Sequence, residues 1–346
     1  MTVIQSYIFG TAANGEPVRG FRLSNGKIEA DIITLGASVQ SIRVPDRTGA
    51  MTDVCLGFSD VNGYETQTCF IGAVVGRYAN RIGGASFSLN GQTYSLAQND
   101  GVNHLHGGPT GFHTKNWDAD ICGEALTLSC ESADMEEGYP GKMTVRVTYT
   151  LTETGGLSID YDAQSDKDTV CSLTNHAYFD LSGGVCNTIC THELKINADR
   201  FTRVDDGAIP NGELPDVAGT PFDFRDFHAI GERIDAQNSD LQAVGGYDHN
   251  FVLCGEAFRE AAHVRCEETG IGMRVLTDRP GVQFYAGNSL DGSFVGKSGK
   301  PYGRRSGFCL ETQSFPDSPN HPEFPCCILK AGARFASKTV YEFERF

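Results

Sequence analysis

The chain has 346 residues, 40% of them hydrophobic, 10% aromatic and 21% charged, which is enough apolar material for a sizeable core and excludes an intrinsically disordered chain. A net charge of −16 argues against nucleic acid and anionic membranes as partners, because both need a basic footprint. No stretch approaches the roughly 18 consecutive apolar residues of a membrane span.

Alternation of apolar and polar residues predicts strands throughout. In chain order the candidates are 28–34, the hairpin around Asn90-Gly91, then 125–131, 143–151, 157–163, 263–268, 271–277, 282–287 and 334–343. Met143, Val145, Val147, Tyr149 and Leu151 share one face of their strand, with Thr144, Arg146, Thr148 and Thr150 on the other. Asn90-Gly91 sits between Phe87, Leu89 and Tyr94, Leu96, as a type I′ turn requires, since both central residues there need positive φ. The best helical candidate is a short stretch near 228–236. Forty-one glycines, about 12% of the chain against ~7% on average, suit many turns and few long helices. No linker, charge block or repeat divides the sequence. The expectation is an all-β fold, a large antiparallel β-sandwich formed as one domain over residues 1–346. The long connections 99–116, 203–225 and 289–307 are the places where function is expected.

Twelve cysteines are scattered from Cys55 to Cys327 without a CxxC pair, and the first residues lack the basic and apolar regions of a signal peptide. Reduced thiols in a cytoplasmic protein are expected, with Cys326-Cys327 as packing residues.

Six polar clusters interrupt the apolar pattern. Asn80 and Arg81 stand among glycines and can offer forked donors. His104 and His106, two apart, would point the same way in an extended segment, as metal ligands must. The carboxylate that would complete such a site does not follow, and Cys186, Cys190 and His192 also lack a complementary pair. Thr174-Asn175-His176-Ala177-Tyr178-Phe179 puts an imidazole and a phenol on one strand face. Asp248 lies in a polar knot after Gly245-Gly246, and Gln283 breaks a strand pattern. Glu311 follows Phe308-Cys309-Leu310, where desolvation would raise its pKa towards that of a useful base; the structural alternative pairs it with Arg304 or Arg305.

In this order and over nearly the whole chain, these elements resemble the aldose 1-epimerase (galactose mutarotase) family, most specifically at residues 174–179. Asp180 departs from the asparagine common there. The resemblance implies an isomerase that interconverts the α and β anomers of free aldoses such as galactose and glucose. Glu311 would then be the base at O1 and His176 the acid at the ring oxygen, with His106 near that oxygen. Asn80, Arg81, Asp248 and Gln283 would hold hydroxyls, and Tyr178 would support them. It implies neither metal nor organic cofactor, a monosaccharide as the small-molecule partner, and a monomer or weak homodimer. The competing expectations are a non-catalytic sugar-binding sandwich, a glycoside hydrolase using Asp248 with Glu311, or a sugar-phosphate epimerase using Arg81, Arg304 and Arg305.

Overall fold

A computed structural model describes residues 1–346. Three antiparallel sheets carry the fold. The first holds the strands Val3–Thr11, Pro17–Ser24, Glu29–Ile33, Ser38–Pro45 and Met51–Asp53 in sequence order. The largest has nine strands, with Met143–Leu151, Gly156–Ser165, Arg334–Arg345, Ile271–Thr277 and Arg259–Cys266 adjacent in that order at its centre. The third is made of Ala198–Phe201, Asp248–Leu253, Gly281–Tyr285 and Cys309–Gln313. The architecture is an all-β sandwich with only three short α-helices, Val61–Thr66, Ile230–Arg233 and Ser239–Ala243.

The core sits between the nine-stranded sheet and the other two. It joins Val145, Val147, Tyr149 and Ile159 of the large sheet to Phe21, Ile32 and Val39 on one side and Phe251, Val282, Phe284 and Leu310 on the other. Hydrogen bonds across the layers pin the sheets. Tyr149 Oη donates to the Ala37 carbonyl at 2.6 Å, and Tyr341 Oη to the Leu310 carbonyl at 3.2 Å. The polar face of 143–151 lies outward as expected, with Thr144 and Arg146 exposed.

Most of the expected strands occur. The Asn90-Gly91 turn has φ of 52° and 79°, as its type demands. The expected strands start at 28, so Val3–Thr11 and Pro17–Ser24 go beyond them; Val3–Thr11 is an edge strand whose residues are mostly exposed, which blurs its alternation. The helical candidate at 228–236 shrinks to Ile230–Arg233 after a two-residue strand.

The sandwich also buries histidines. Burial pushes His249 down to about 3, and His113 and His176 down to about 4. Two predictions follow from these contacts. Tyr149→Phe leaves a buried carbonyl without its donor and is expected to cost about 1–2 kcal/mol in urea unfolding. The unfolded chain protonates these three rings near pH 6.5, whereas the folded chain resists until pH 3–4. Their contribution to stability is therefore full above pH 6.5 and is lost as the pH falls through that window. Raised carboxyls at Glu311 and Asp248 act in the opposite sense and soften the slope. His249→Asn keeps an acceptor near the place where Nδ1 receives the Asp248 amide and cannot take up a proton, so its urea midpoint should fall less between pH 7 and 5 than that of the parent chain.

Candidate active site

The strands Gly281–Tyr285 and Cys309–Gln313 are buried on both faces, so the period of two sorts their side chains between core and cleft. Val282, Phe284, Leu310 and Phe251 face the core. Gln283 stands opposite Glu311 in one ladder and Asn250 in the other, and Asp248 stands opposite Tyr285. Asp248, Tyr285 and Glu311 thereby line a cleft of about 590 Å³, a size suited to a small molecule. Its other walls include Phe70, Asn80, Arg81, His106, His176 and Tyr178. All three long connections reach it, through Asp100, Asp206 and Ser289.

His176 is locked by backbone. Its amide donates to the Ala73 carbonyl at 2.8 Å and its carbonyl accepts from Gly72 at 3.0 Å. Asn175 braces the same segment, donating from Nδ2 to the Gly72 carbonyl at 2.8 Å and accepting from the Ala177 amide at 3.0 Å. The rings of His176 and Tyr178 lie on one side with centroids 5.1 Å apart, in the extended segment after the strand Thr174–Asn175. Tyr178 Oη is tied to the Cys69 carbonyl at 3.1 Å.

His106 belongs to a second knot. The strand His104–Leu105 pairs with Arg81–Ile82, and the Asn80 amide donates to His106 Nδ1 at 3.1 Å. This segment lies so close to Gly76 that a Cβ on Gly107 would fall 1.8 Å from the Gly76 carbonyl oxygen. Phe70, Asn80 and His106 all take left-handed φ, at 57°, 66° and 50°. Such backbone costs about 1–3 kcal/mol for a non-glycine residue and collects at working sites. Asn tolerates it best.

Glu311 is 2% exposed, and its Oε1 stands 3.6 Å from His176 Nε2. Its Oε2 is buried with no partner. Desolvation, reinforced by the Asp248 charge, pushes its carboxyl well above the usual range. His176 is held down to about 4 chiefly by burial. Neither Arg304 nor Arg305 neutralises Glu311. Arg305 pairs with Asp235 at 2.6 Å, and Arg304 donates to the Gly245 carbonyl. Arg81 is held by Asp100 at 2.7 Å and approaches Asp248 at 3.9 Å.

Seven of the eight expected site residues meet at the cleft. Gln283 does not line it. Its Nε2 donates to Asp248 Oδ1 at 2.7 Å and its Oε1 accepts from Gln313 at 3.4 Å, so it lies behind Asp248. His104 does not point with His106, because the left-handed turn at His106 breaks the extended geometry. It is held instead by the Ala97 carbonyl at 2.6 Å and Tyr139 Oη at 2.7 Å. His192 is not set up as a ligand either: Nε2 accepts the Leu181 amide at 3.0 Å. Asp180 faces away from the chemistry and caps a turn, accepting from Ser182 Oγ at 2.7 Å and the Gly184 amide at 2.8 Å. Phe70 carries no mark in the sequence, and Asp100 is marked only by its place in the connection 99–116. Tyr285 was findable, two residues from Gln283 on the same strand.

The ligating atoms of His106, His176 and Glu311 lie within 4.8 Å of one another, a spacing that would suit a metal ion. The donor set fits one poorly. His106, driven well below its ordinary pKa by burial and by His176, is neutral. With Nδ1 accepting from Asn80, the proton of the neutral ring belongs on its other nitrogen, which then has no lone pair to offer.

Comparison with known proteins agrees with this geometry. Residues 19–342 match the family described as aldose 1-epimerase. The galactose mutarotase of Bos taurus is 42% identical over 346 residues, with 99% of each chain covered. The aldose 1-epimerase of Escherichia coli is 38% identical over 338 residues, covering 96% of this chain and 97% of its own. Among solved structures, the Caenorhabditis elegans aldose epimerase homologue superposes with a TM-score of 0.84 at 30% identity, over 92% of this chain and 96% of that one. Galactose 1-epimerase of Lactobacillus acidophilus gives 0.88 at 26% identity over 100% and 99%. The chain belongs to the aldose 1-epimerase family.

Proposed function

We propose that Glu311 and His176 divide the two proton transfers of mutarotation on a free aldose such as D-galactose or D-glucose. The activity is that of an aldose 1-epimerase, an isomerase. Glu311 takes the proton of the C1 hydroxyl as His176 protonates the ring oxygen; the C1–O5 bond opens to an aldehyde. Rotation about C1–C2 presents the other carbonyl face, and the reverse transfers close the ring. The carrying observation is the buried, partnerless Oε2 of Glu311 in a cleft that also holds His176 Nε2.

The electrostatics suit this division. Glu311 and His176 share one proton, and their titration belongs to the pair. Burial favours the uncharged arrangement, carboxylic acid with neutral imidazole, which is the state reached when the ring has opened. Sugar hydroxyls and the Arg81 guanidinium favour the Glu311 carboxylate, and that carboxylate in turn favours the imidazolium, the state that starts the reaction. A bound sugar that brings the two arrangements closer in energy serves a reversible proton exchange.

Asn80, Arg81, His106 and Asp248 hold hydroxyls, and His106 donates near the ring oxygen. Gln283 orients Asp248. Tyr178 and Phe70 supply walls for the apolar faces of the sugar. The chain works as one domain, as a monomer or weak homodimer, in galactose and hexose metabolism. No helix is long and apolar enough to cross a membrane. The twelve free cysteines fit a reducing, cytoplasmic setting.

Polarimetry on freshly dissolved α-D-galactose and α-D-glucose tests the assignment. His176→Ala and Glu311→Gln should each lower kcat by about 10²–10⁴-fold, the scale of general acid–base catalysis, with a smaller change in KM. Near-normal turnover in either variant refutes that residue's role. Gln283→Ala loosens Asp248 in the ground and transition states alike, so it should raise KM more than it lowers kcat.

A further inference from the structure

Mutarotation as described uses one nitrogen of His176. The other, Nδ1, lies 3.6 Å from Cys309 Sγ, while Nε2 lies 3.6 Å from Glu311 Oε1. Cys309 and Glu311 are two residues apart on the strand Cys309–Gln313, so both project into the cleft side of the sheet. The imidazole therefore spans the two, sulfur at one nitrogen and carboxylate at the other. The thiol is fully buried, and desolvation with the Glu311 charge beside it keeps it protonated. A buried free cysteine usually packs as a small apolar group. This one meets a ring nitrogen of the proposed acid.

We propose that Cys309 is a positioning residue whose sulfur accepts a hydrogen bond from His176 Nδ1–H, so that Nε2 alone exchanges protons with the sugar. The inference rests on the role given to His176 above. The proton count closes at each stage. The imidazolium carries protons on both nitrogens, and the Nε2 proton leaves for the ring oxygen as C1–O5 breaks. The neutral ring keeps Nδ1–H, and the Nε2 lone pair faces the new hydroxyl, ready to take its proton back when the ring closes. A carboxylate in place of Cys309 would fix the same tautomer and would also stabilise the imidazolium, making His176 a weaker acid. Sulfur is a weak acceptor and sets the tautomer with little of that stabilisation. The other groups around the ring are its own backbone carbonyl, Glu311 at Nε2, His106 at 5.0 Å between ring centroids, Tyr178 at 5.1 Å, Tyr285 at 6.5 Å, and His113 beyond Phe70. The side chain hydrogen-bonded to Nδ1 is that of Cys309.

The test combines ¹⁵N NMR of the His176 ring with polarimetric kinetics across pH for the parent chain, Cys309→Ala and Cys309→Ser. The parent ring should be the Nδ1–H tautomer at pH 7. Cys309→Ala should shift it towards Nε2–H and lower kcat about three- to tenfold, as loss of one weak hydrogen bond gives, with KM within about twofold. Cys309→Ser, whose hydroxyl can accept in place of the sulfur, should restore Nδ1–H and most of kcat. An Nε2–H tautomer in the parent chain overturns the proposal, as does a Cys309→Ala variant with unchanged tautomer and kcat. If Cys309→Ala fails to fold, the parent tautomer and the serine variant still decide. Failure of the acid assignment would show separately, as full turnover in His176→Ala.

Discussion

The burial of one carboxylate beside one imidazole governs the rest of this molecule. Glu311 projects from a strand whose alternate residues are committed to the core, so the carboxylate cannot swing out to water. A lone charge in such a place is expensive. Arg305 is occupied by Asp235, and Arg81, held by Asp100, offsets the Glu311 charge only in part. What remains is the His176 ring, 3.6 Å from one oxygen, and a second oxygen with no partner. Neutralising Glu311 with a cation would have lowered its pKa and cost it its basicity.

Holding that pair in place explains much of the surrounding architecture. The sandwich supplies one wall as rigid sheet, and two knitted segments, 72–82 and 103–108, supply the other. Backbone bonds to Gly72 and Ala73 fix His176, and those between 80–82 and 104–106 fix His106. The left-handed φ of Phe70, Asn80 and His106 is a local cost that the packed sheets offset. Such strain persists where geometry is over-determined by its surroundings, and here all three residues face the cleft.

How much of this was legible beforehand varies with the type of signal. Strands with one solvated face, such as 143–151, announce themselves by alternation, and the Asn90-Gly91 turn by its φ requirement. The edge strand Val3–Thr11 hardly alternates, because most of its residues are exposed. Motif residues on regular strands, Glu311 and Asp248, took up the faces that their spacing implied. Spacing says less where the backbone leaves the regular repeat or where a side chain is held by its neighbour. His104 and His106 part company because one residue turns left-handed, and Gln283 is drawn back by its bond to Asp248. Asp180 proved to be a turn cap, which its position beside His176 had concealed.

The linear chain was sufficient for the class of fold and most of its strands, because period-two patterning and turn chemistry are local; the proposed acid and base were legible only through the resemblance of the motif residues to the aldose 1-epimerase family. It could not say which charges stay unpaired. That depends on where Arg81, Arg304 and Arg305 find carboxylates and carbonyls in space, and those partners lie 19, 59 and 70 residues away. The environment of His176 was equally hidden. Its Nδ1 meets a sulfur 133 residues along the chain, and only the closing of two sheets around the cleft brings them together.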